Sequence, residues 1–237
     1  AIFELQTKDT TMNFEIIANG TFAALKVMLA RGESIKAESG AMVSMDTTIE
    51  VEGKLDGGIL GGLGRILAGE TMFLQTLSAT EEDGEVILAP TMLGNIVEID
   101  LDGNTTWNIA KDGFFAGDMN LTISTKMQNL SKGLFSGEGF FVVKVSGKGK
   151  LFASSFGSIV KVDIGAGKDY IIDNHHLVAW PENTKIKIEK ASKGWLSSFT
   201  SGEGLVTRVS GPSEVYIQTR NAKAFGSWMG GHIPLKK

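Results

Sequence analysis

The sequence predicts an all-β protein built from three copies of one small unit, and three observations carry that prediction. First, a short segment recurs. Gly69-Glu70, Gly137-Glu138 and Gly202-Glu203 each follow an apolar, Gly/Ser-rich loop and each open a strand-like run, Met72–Leu77, Phe140–Val145 and Leu205–Val209. Each run closes on Ser and a small residue, Ser78-Ala79, Ser146-Gly147 and Ser210-Gly211. A period of about 65–70 residues is the signature of repeated supersecondary units. Second, apolar and polar residues alternate with period two, as a half-buried strand requires. Third, 30 glycines against 4 prolines in 237 residues suit a sheet protein with many tight turns.

The elements of each copy follow in order. The first two runs flank a turn glycine: Val27–Leu29, Gly32 and Ile35; Ile99–Leu101, Gly103 and Trp107; Val162–Ile164, Gly167 and Tyr170. A third run follows at Met42–Ser44, Phe114–Ala116 and Leu177–Ala179. Gly32 to Ser44 and Gly167 to Ala179 both span 12 positions, whereas Gly103 to Ala116 spans 13. An extra residue inside a strand would swap its faces, so the extra residue is placed in the turn. Then come the alternating stretches Thr48–Glu52, Asn120–Ser124 and Thr184–Ile188, the apolar loop, the Gly-Glu step with its strand, and a last strand at Val86–Leu88, Leu151–Ala153 or Val215–Ile217. Each copy thus holds about six strands and the chain about eighteen. The repeats span approximately 14–90, 91–157 and 158–221, and 222–237 reads as a C-terminal tail in which Asn221 can cap a short helix through Trp228, stopped by Gly230-Gly231. A lone unit of this size is marginal, so the three are expected to pack around a pseudo-threefold axis as one compact domain over residues 1–237.

Composition narrows the function classes. The net charge of −4 offers no general attraction to phosphate backbones, which argues against nucleic-acid binding. The absence of cysteine excludes disulfides and thiolate chemistry and favours a cytoplasmic setting. Ala1–Leu5 lacks the character of a signal peptide, and no apolar run reaches the ~18 residues of a membrane span.

Taken together, Gly57–Arg65 leading into Leu67–Glu70, the Ser136–Gly139 and Ser201–Gly204 steps, and the closing Val215–Asn221 resemble the family named for altered inheritance of mitochondria, over about Phe14 to Asn221. The resemblance implies a fold like the tryptophan-RNA-binding attenuation protein: three β-sandwich units of the double-stranded β-helix type in one chain. It implies no enzymatic activity and no cofactor. The family's mitochondrial members are associated with inner-membrane organisation, while this chain reads as a cytoplasmic bacterial member.

The three repeated loops are the candidate site. The first offers Ile59, Leu60, Leu63 and Arg65, the second Lys132, Leu134 and Phe135, and the third Lys193, Trp195, Leu196 and Phe199. Each combines apolar residues with one basic residue and a following carboxylate. Pseudo-symmetry would gather them at one end, where they can serve self-association, a protein partner or peripheral contact with an anionic membrane. Glu70, Glu138 and Glu203 are equivalent by repeat; near an axis they can hold a hard cation, and beside turns they can cap backbone N–H groups or pair with Arg65, Lys132 and Lys193. The loops are not phosphate cradles, because Gly64 is followed by Arg65-Ile66 and a Walker pattern needs Lys-Ser/Thr there. His175-His176 is expected on a strand with its two rings on opposite faces, unable to chelate jointly. The acidic Glu81-Glu82-Asp83 reads as a solvated turn. No Gly-x-Ser-x-Gly occurs, so no catalytic residue and no metal site are assigned.

Overall fold

The computed structural model describes residues 13–20, 22–55, 73–110, 112–128, 140–190 and 205–233. Among them the first segment of the chain forms β1 (Asn13–Ile17), β2 (Ala24–Leu29), β3 (Ser34–Glu38), β4 (Met42–Met45), β5 (Ile49–Leu55), β6 (Phe73–Ala79) and β7 (Gly84–Leu88). The second forms β8 (Ile96–Asp102), β9 (Trp107–Ala110), β10 (Phe114–Asp118), β11 (Thr122–Gln128), β12 (Phe140–Ser146) and β13 (Lys148–Ser154). The third forms β14 (Ile159–Ile164), β15 (Asp169–Asp173), β16 (Leu177–Pro181), β17 (Lys185–Lys190), β18 (Leu205–Ser210) and β19 (Ser213–Gln218), followed by helix α1 (Ala222–His232). The described strands number nineteen, and the one beyond the expected set is β1, which pairs with β2.

All strand pairs are antiparallel. They form four sheets, with orders β1-β2-β7-β4, β5-β6-β3-β10-β13-β8, β11-β12-β9-β16-β19-β14 and β15-β18-β17. With the strands of the first segment counted from β2, the last strand of each segment lies between the first and third: β2-β7-β4, β8-β13-β10 and β14-β19-β16. The strand after the loop likewise lies between its two partners: β5-β6-β3, β11-β12-β9 and β17-β18-β15. Apolar residues of the two triplets meet in one core. In the first segment Leu25, Val27, Leu29, Val86 and Leu88 pack with Ile35, Ala37, Ile49 and Leu77. Burial alternates along β2 and β3, so the period-two pattern sets which face enters the core.

The turn glycines do what the spacing required. Gly32, Gly103 and Gly167 all take positive φ (84°, 91° and 72°), a region open to glycine without strain. The additional residue of the second copy falls in the Asp102–Thr106 turn, where Asp102 Oδ1 accepts from the N–H of Asn104 (2.8 Å) and of Thr105 (3.1 Å). These bonds hold the Asp102 carboxyl below its ordinary range. The third strand of every segment carries a β-bulge at one matching place, between Met42 and Ser44, Phe114 and Ala116, and Leu177 and Ala179.

Two seams join the segments. β10 pairs with β3 (Ala116↔Ala37, Gly117↔Lys36, Asp118↔Ile35), and β16 pairs with β9 (Ala179↔Ile109, Trp180↔Asn108, Pro181↔Trp107). Lys36 Nζ strengthens the first seam by donating to the carbonyls of Met119 (2.8 Å) and Leu121 (2.7 Å). An ion pair from Lys144 to Glu182 crosses the second. The linking chain stretches also meet: Gly94 and Gly157 form a parallel bridge, with Asn95 N donating to Gly157 O (3.1 Å) and Gly157 N to Leu93 O (2.9 Å). The sheets therefore join the segments in a line, first to second and second to third. A pseudo-threefold axis is not defined by this pairing.

Two local expectations are corrected. His175-His176 lies in a 3-10 turn, Asn174–His176, rather than on a strand, because the Asp173 side chain accepts from His175 N and caps the turn. The C-terminal stretch is helical from Ala222 to His232 and runs through Gly230-Gly231. Asn221 Oδ1 caps it by accepting from Ala224 N (3.0 Å), and the His232 ring bonds to Trp228 O (2.7 Å) across the last turn.

Candidate interaction surface

The three loops hang from equivalent hairpins. β5 and β6 pair from Ile49↔Ala79 to Leu55↔Phe73, β11 and β12 from Thr122↔Ser146 to Gln128↔Phe140, and β17 and β18 from Lys185↔Ser210 to Lys190↔Leu205. The pairing reaches the last described residue on both sides of every loop. Ile59, Leu60, Leu63, Arg65 and Glu70 of the first loop lie outside the described residues. So do Lys132, Leu134, Phe135 and Glu138 of the second, and Lys193, Trp195, Leu196, Phe199 and Glu203 of the third.

The base of the third hairpin carries a charged network. Arg208 bonds Glu189 Oε1 through Nε (2.9 Å) and Asp169 through Nη1 (3.3 Å), and Ser210 Oγ donates to Asp169 (2.7 Å). Hydrogen bonding from Arg208 holds the Glu189 carboxyl below its ordinary value, and the Ser210 hydroxyl, with Arg208, does the same for Asp169. These groups are solvent-facing partners of one another, an arrangement that fixes strand register rather than activating a nucleophile.

An open groove of about 470 Å³ is lined by Asn13, Met28, Glu33, Asp46, Asp83 and Glu85 among others. Its carboxylates have local duties. Glu33 accepts from Ala30 N, Asp83 from Arg31 N and Asp46 from Glu85 N, while Glu85 pairs with Lys26 at 2.7 Å. They are turn and edge caps. Among the described residues no group of three His, Asp or Glu side chains could hold a metal ion. The His176 ring bonds to Gln218 O (2.6 Å), and Gln218 Nε2 donates to His175 O (2.9 Å), so the histidine turn is clamped onto β19.

Apolar residues on the surface were missed by the sequence reading. On β4, Met42, Val43 and Met45 are exposed, with Val43 at 62%. Their counterparts after the same bulge are buried, Phe115 at 0% and Val178 at 2%. On β15, Tyr170 is 44% exposed, whereas Ile35 and Trp107 at the matching position are buried. On α1, which buries no residue, Phe225 packs at a tilt against Phe156 (5.3 Å between centroids) and stacks with Trp228 (6.0 Å). Comparing burial at matched positions is what finds the first two, because the local sequences read as ordinary strands.

These observations define an all-β protein of paired sheets joined edge to edge, with chemistry-bearing side chains spent on capping and register among the described residues. The family model described as Mitochondrial biogenesis AIM24 matches residues 14–220, and the chain belongs to that family. It is 32% identical to an uncharacterized protein of Streptococcus pyogenes serotype M6 over 239 residues, covering 98% of this chain and 95% of the relative. A structural-genomics crystal structure of a Streptococcus pyogenes protein matches with a TM-score of 0.75 and 32% identity, over 94% of this chain and all of that one. No helix among the described residues is long and apolar enough to cross a membrane.

Proposed function

We propose that this protein is a non-enzymatic interaction or scaffold module that uses its three hairpin ends to contact another protein surface. The supporting observation is the equivalence of the hairpins: each holds an apolar loop with one basic residue between strands paired to their last described position. Repeated apolar loops of this kind suit a surface that is covered in use. The family's description, mitochondrial biogenesis, is the ground for linking such a module to the organisation of membrane complexes.

The test is a triple variant, Leu63→Asp, Leu134→Asp and Trp195→Asp, shown by circular dichroism to keep its sheet content. Cross-linking in cells of the source organism is expected to recover one defined partner set with the original chain and to lose it with the variant. Equal recovery by both sinks the proposal. Flotation with anionic vesicles is the companion measurement, and loop-dependent binding there with no protein cross-links would replace the protein surface with a membrane.

A further inference from the structure

The strand registers bring one end of all three segments to the same side of the molecule. β3 runs towards the turn in which Ala41 N donates to Glu38 O (3.1 Å), and β10 starts beside it, with Ala116 facing Ala37 and Asp118 facing Ile35. Gly113 N donates to Ala110 O (2.8 Å) in the turn between β9 and β10, and β16 starts beside that turn, with Ala179 facing Ile109 and Pro181 facing Trp107. At this same end Leu25 pairs with Leu88, Ile96 with Ser154 and Ile159 with Gln218, where the linking stretches and α1 join the sheets. The hairpin feet lie there too, with Leu74 opposite Glu38, Val142 opposite Ala110 and Val206 opposite Asp173.

Large apolar side chains stand in solvent at this end. Phe22, 66% exposed, and the exposed Leu93 precede the two residues joined by Ala23 N donating to Gly94 O (2.9 Å). Gly157 N donates to Leu93 O (2.9 Å), Arg220 N to Phe156 O (3.2 Å), and the Phe156 ring meets Phe225, so the strip runs on into α1. On α1 Trp228 is 59% exposed, and Phe225 and Met229 are exposed as well. The helical period puts these three on one face and Lys223 and Ser227 on the other. Phe22 also holds φ at 57°, a region disfavoured for a bulky residue and the kind of outlier that marks a functional position.

The charge of the strip has one sign. Residues 18–23, 89–95, 155–158 and 219–233, which form it, contain no Asp or Glu. From Val215 to Lys237 the sequence holds Arg220, Lys223, Lys236 and Lys237 and no carboxylate side chain, in a chain of net charge −4. Arg220 and Lys223 are exposed, while at the far end of the first segment the turns expose Asp46, Glu81, Glu82 and Asp83. Tryptophan beside Lys and Arg is the composition of a membrane–water boundary, and the acidic far end turns the molecule away from a negative surface.

We infer that this strip is a docking surface for an anionic lipid bilayer. Phe22, Leu93, Phe225, Trp228 and Met229 enter the headgroup region, and Arg220 and Lys223 supply the attraction to lipid phosphates. Both cations lie within a helix diameter of the apolar face, about 10 Å, which is close to one Debye length at physiological salt. The 11 residues of α1 are too few to cross a bilayer, which takes about 20, so the helix lies in the plane of the interface. This contact stands on α1 and the linking stretches alone, and the hairpin-end proposal can fail without it.

The experiment floats the full chain with vesicles of phosphatidylcholine containing about one-third phosphatidylglycerol, and with phosphatidylcholine alone. The chain is expected to float with the mixed vesicles only, and high salt should release it. Phe225→Ser with Trp228→Ser should abolish flotation, and Phe22→Ser, which leaves α1 intact, should weaken it roughly 10-fold. Arg220→Gln with Lys223→Gln should weaken binding roughly 30-fold. Circular dichroism checks that each variant keeps its sheets. Equal flotation with both vesicles, no flotation with either, or variants that float like the original chain overturns the inference. Flotation lost in Leu63→Asp, Leu134→Asp, Trp195→Asp but kept in the strip variants also overturns it, by assigning the contact to the hairpin ends. Without lipid, self-association that the Phe225→Ser, Trp228→Ser variant abolishes assigns the face to a second copy instead, and a protein cross-link set lost only in that variant, with no flotation, assigns it to a protein.

Discussion

One bulge position occurs three times in three surroundings, which makes it a measuring device for the seams. Phe115 is fully buried where the second segment meets the first, Val178 is buried where the third meets the second, and Val43 is exposed at the free end. Replacing each in turn by alanine removes side-chain volume from the same backbone geometry. Phe115→Ala deletes a whole buried ring and should cost about 3–5 kcal/mol, the usual range for such a cavity. Val178→Ala removes two buried methyl groups, at ~0.8 kcal/mol each before any cavity contribution, so about 2 kcal/mol is expected. Val43→Ala changes an exposed side chain and should stay within about 0.5 kcal/mol in dilute protein. Urea titration followed by tryptophan fluorescence measures all three, with shifts in midpoint at unchanged slope as the criterion. A Val43→Ala cost matching that of Val178→Ala at the lowest usable concentration would refute the reasoning, because Val43 would then be buried within a single chain. A cost that appears only as concentration rises would instead report association.

Three other outcomes follow from single residues. A Cβ on Gly94 would sit 1.9 Å from Ser155 O and 2.4 Å from Gly157 O, so Gly94→Ala should cost roughly 3 kcal/mol by forcing the two linking stretches apart; Gly53→Ala, with open space around it, should be neutral or slightly stabilising, and thermal melts compare the two. Burial, with Asp112 nearby, raises the Glu38 carboxyl above its ordinary value. A raised carboxyl binds its proton more readily in the folded chain, so its contribution is full below the unfolded pKa of ~4.3 and is lost as pH rises through the folded value. Glu38→Gln should accordingly raise the melting temperature at neutral pH, with the advantage closing near pH ~3, and an advantage that instead grows on acidification contradicts the assignment. Asn221→Ala removes the α1 cap and should cost about 1 kcal/mol of local helix stability, read as faster amide exchange at Ala224 and Phe225 with the sheets unchanged.

What the sequence made legible was local. Period-two alternation and the repetition of the runs together located the described strands from β2 to β19; alternation is imposed where one face of a strand is buried, as in β2 and β3. The spacing from Gly103 to Ala116 put the extra residue in a turn, and the Asp102 turn holds it there. The seams were not legible, because they depend on which strand lies beside which after folding. Met42-Val43-Ser44 and Phe114-Phe115-Ala116 read alike as strands, yet one is a surface and the other a junction. The histidine turn was missed because a cap from Asp173 and a clamp from Gln218 outweigh the strand-like look of its neighbours. The helix passing Gly230-Gly231 shows the same limit of propensity, since a cap at one end and the Trp228–His232 contact at the other carry it through two unfavourable residues. Every residue of the site expected from the sequence falls in the loops, outside the described residues, where repetition of sequence was the only guide.

The central position of the last strand in each segment has a consequence for synthesis on the ribosome. β2 and β4 do not pair with each other; both bond to β7, which is made last. Beyond the β1-β2 hairpin, the first sheet therefore remains incomplete until residue 88 has left the exit tunnel, and β3 waits longer still for its outer neighbour β10. A nascent chain halted before β7 would carry the Leu25–Leu29 stretch with one edge unmatched and the Met42–Met45 stretch without its β7 partner, which is the state that attracts holding chaperones. Translation speed across residues 73–88 thus decides how long that state lasts, and slow codons there would extend the interval in which the growing chain needs protection.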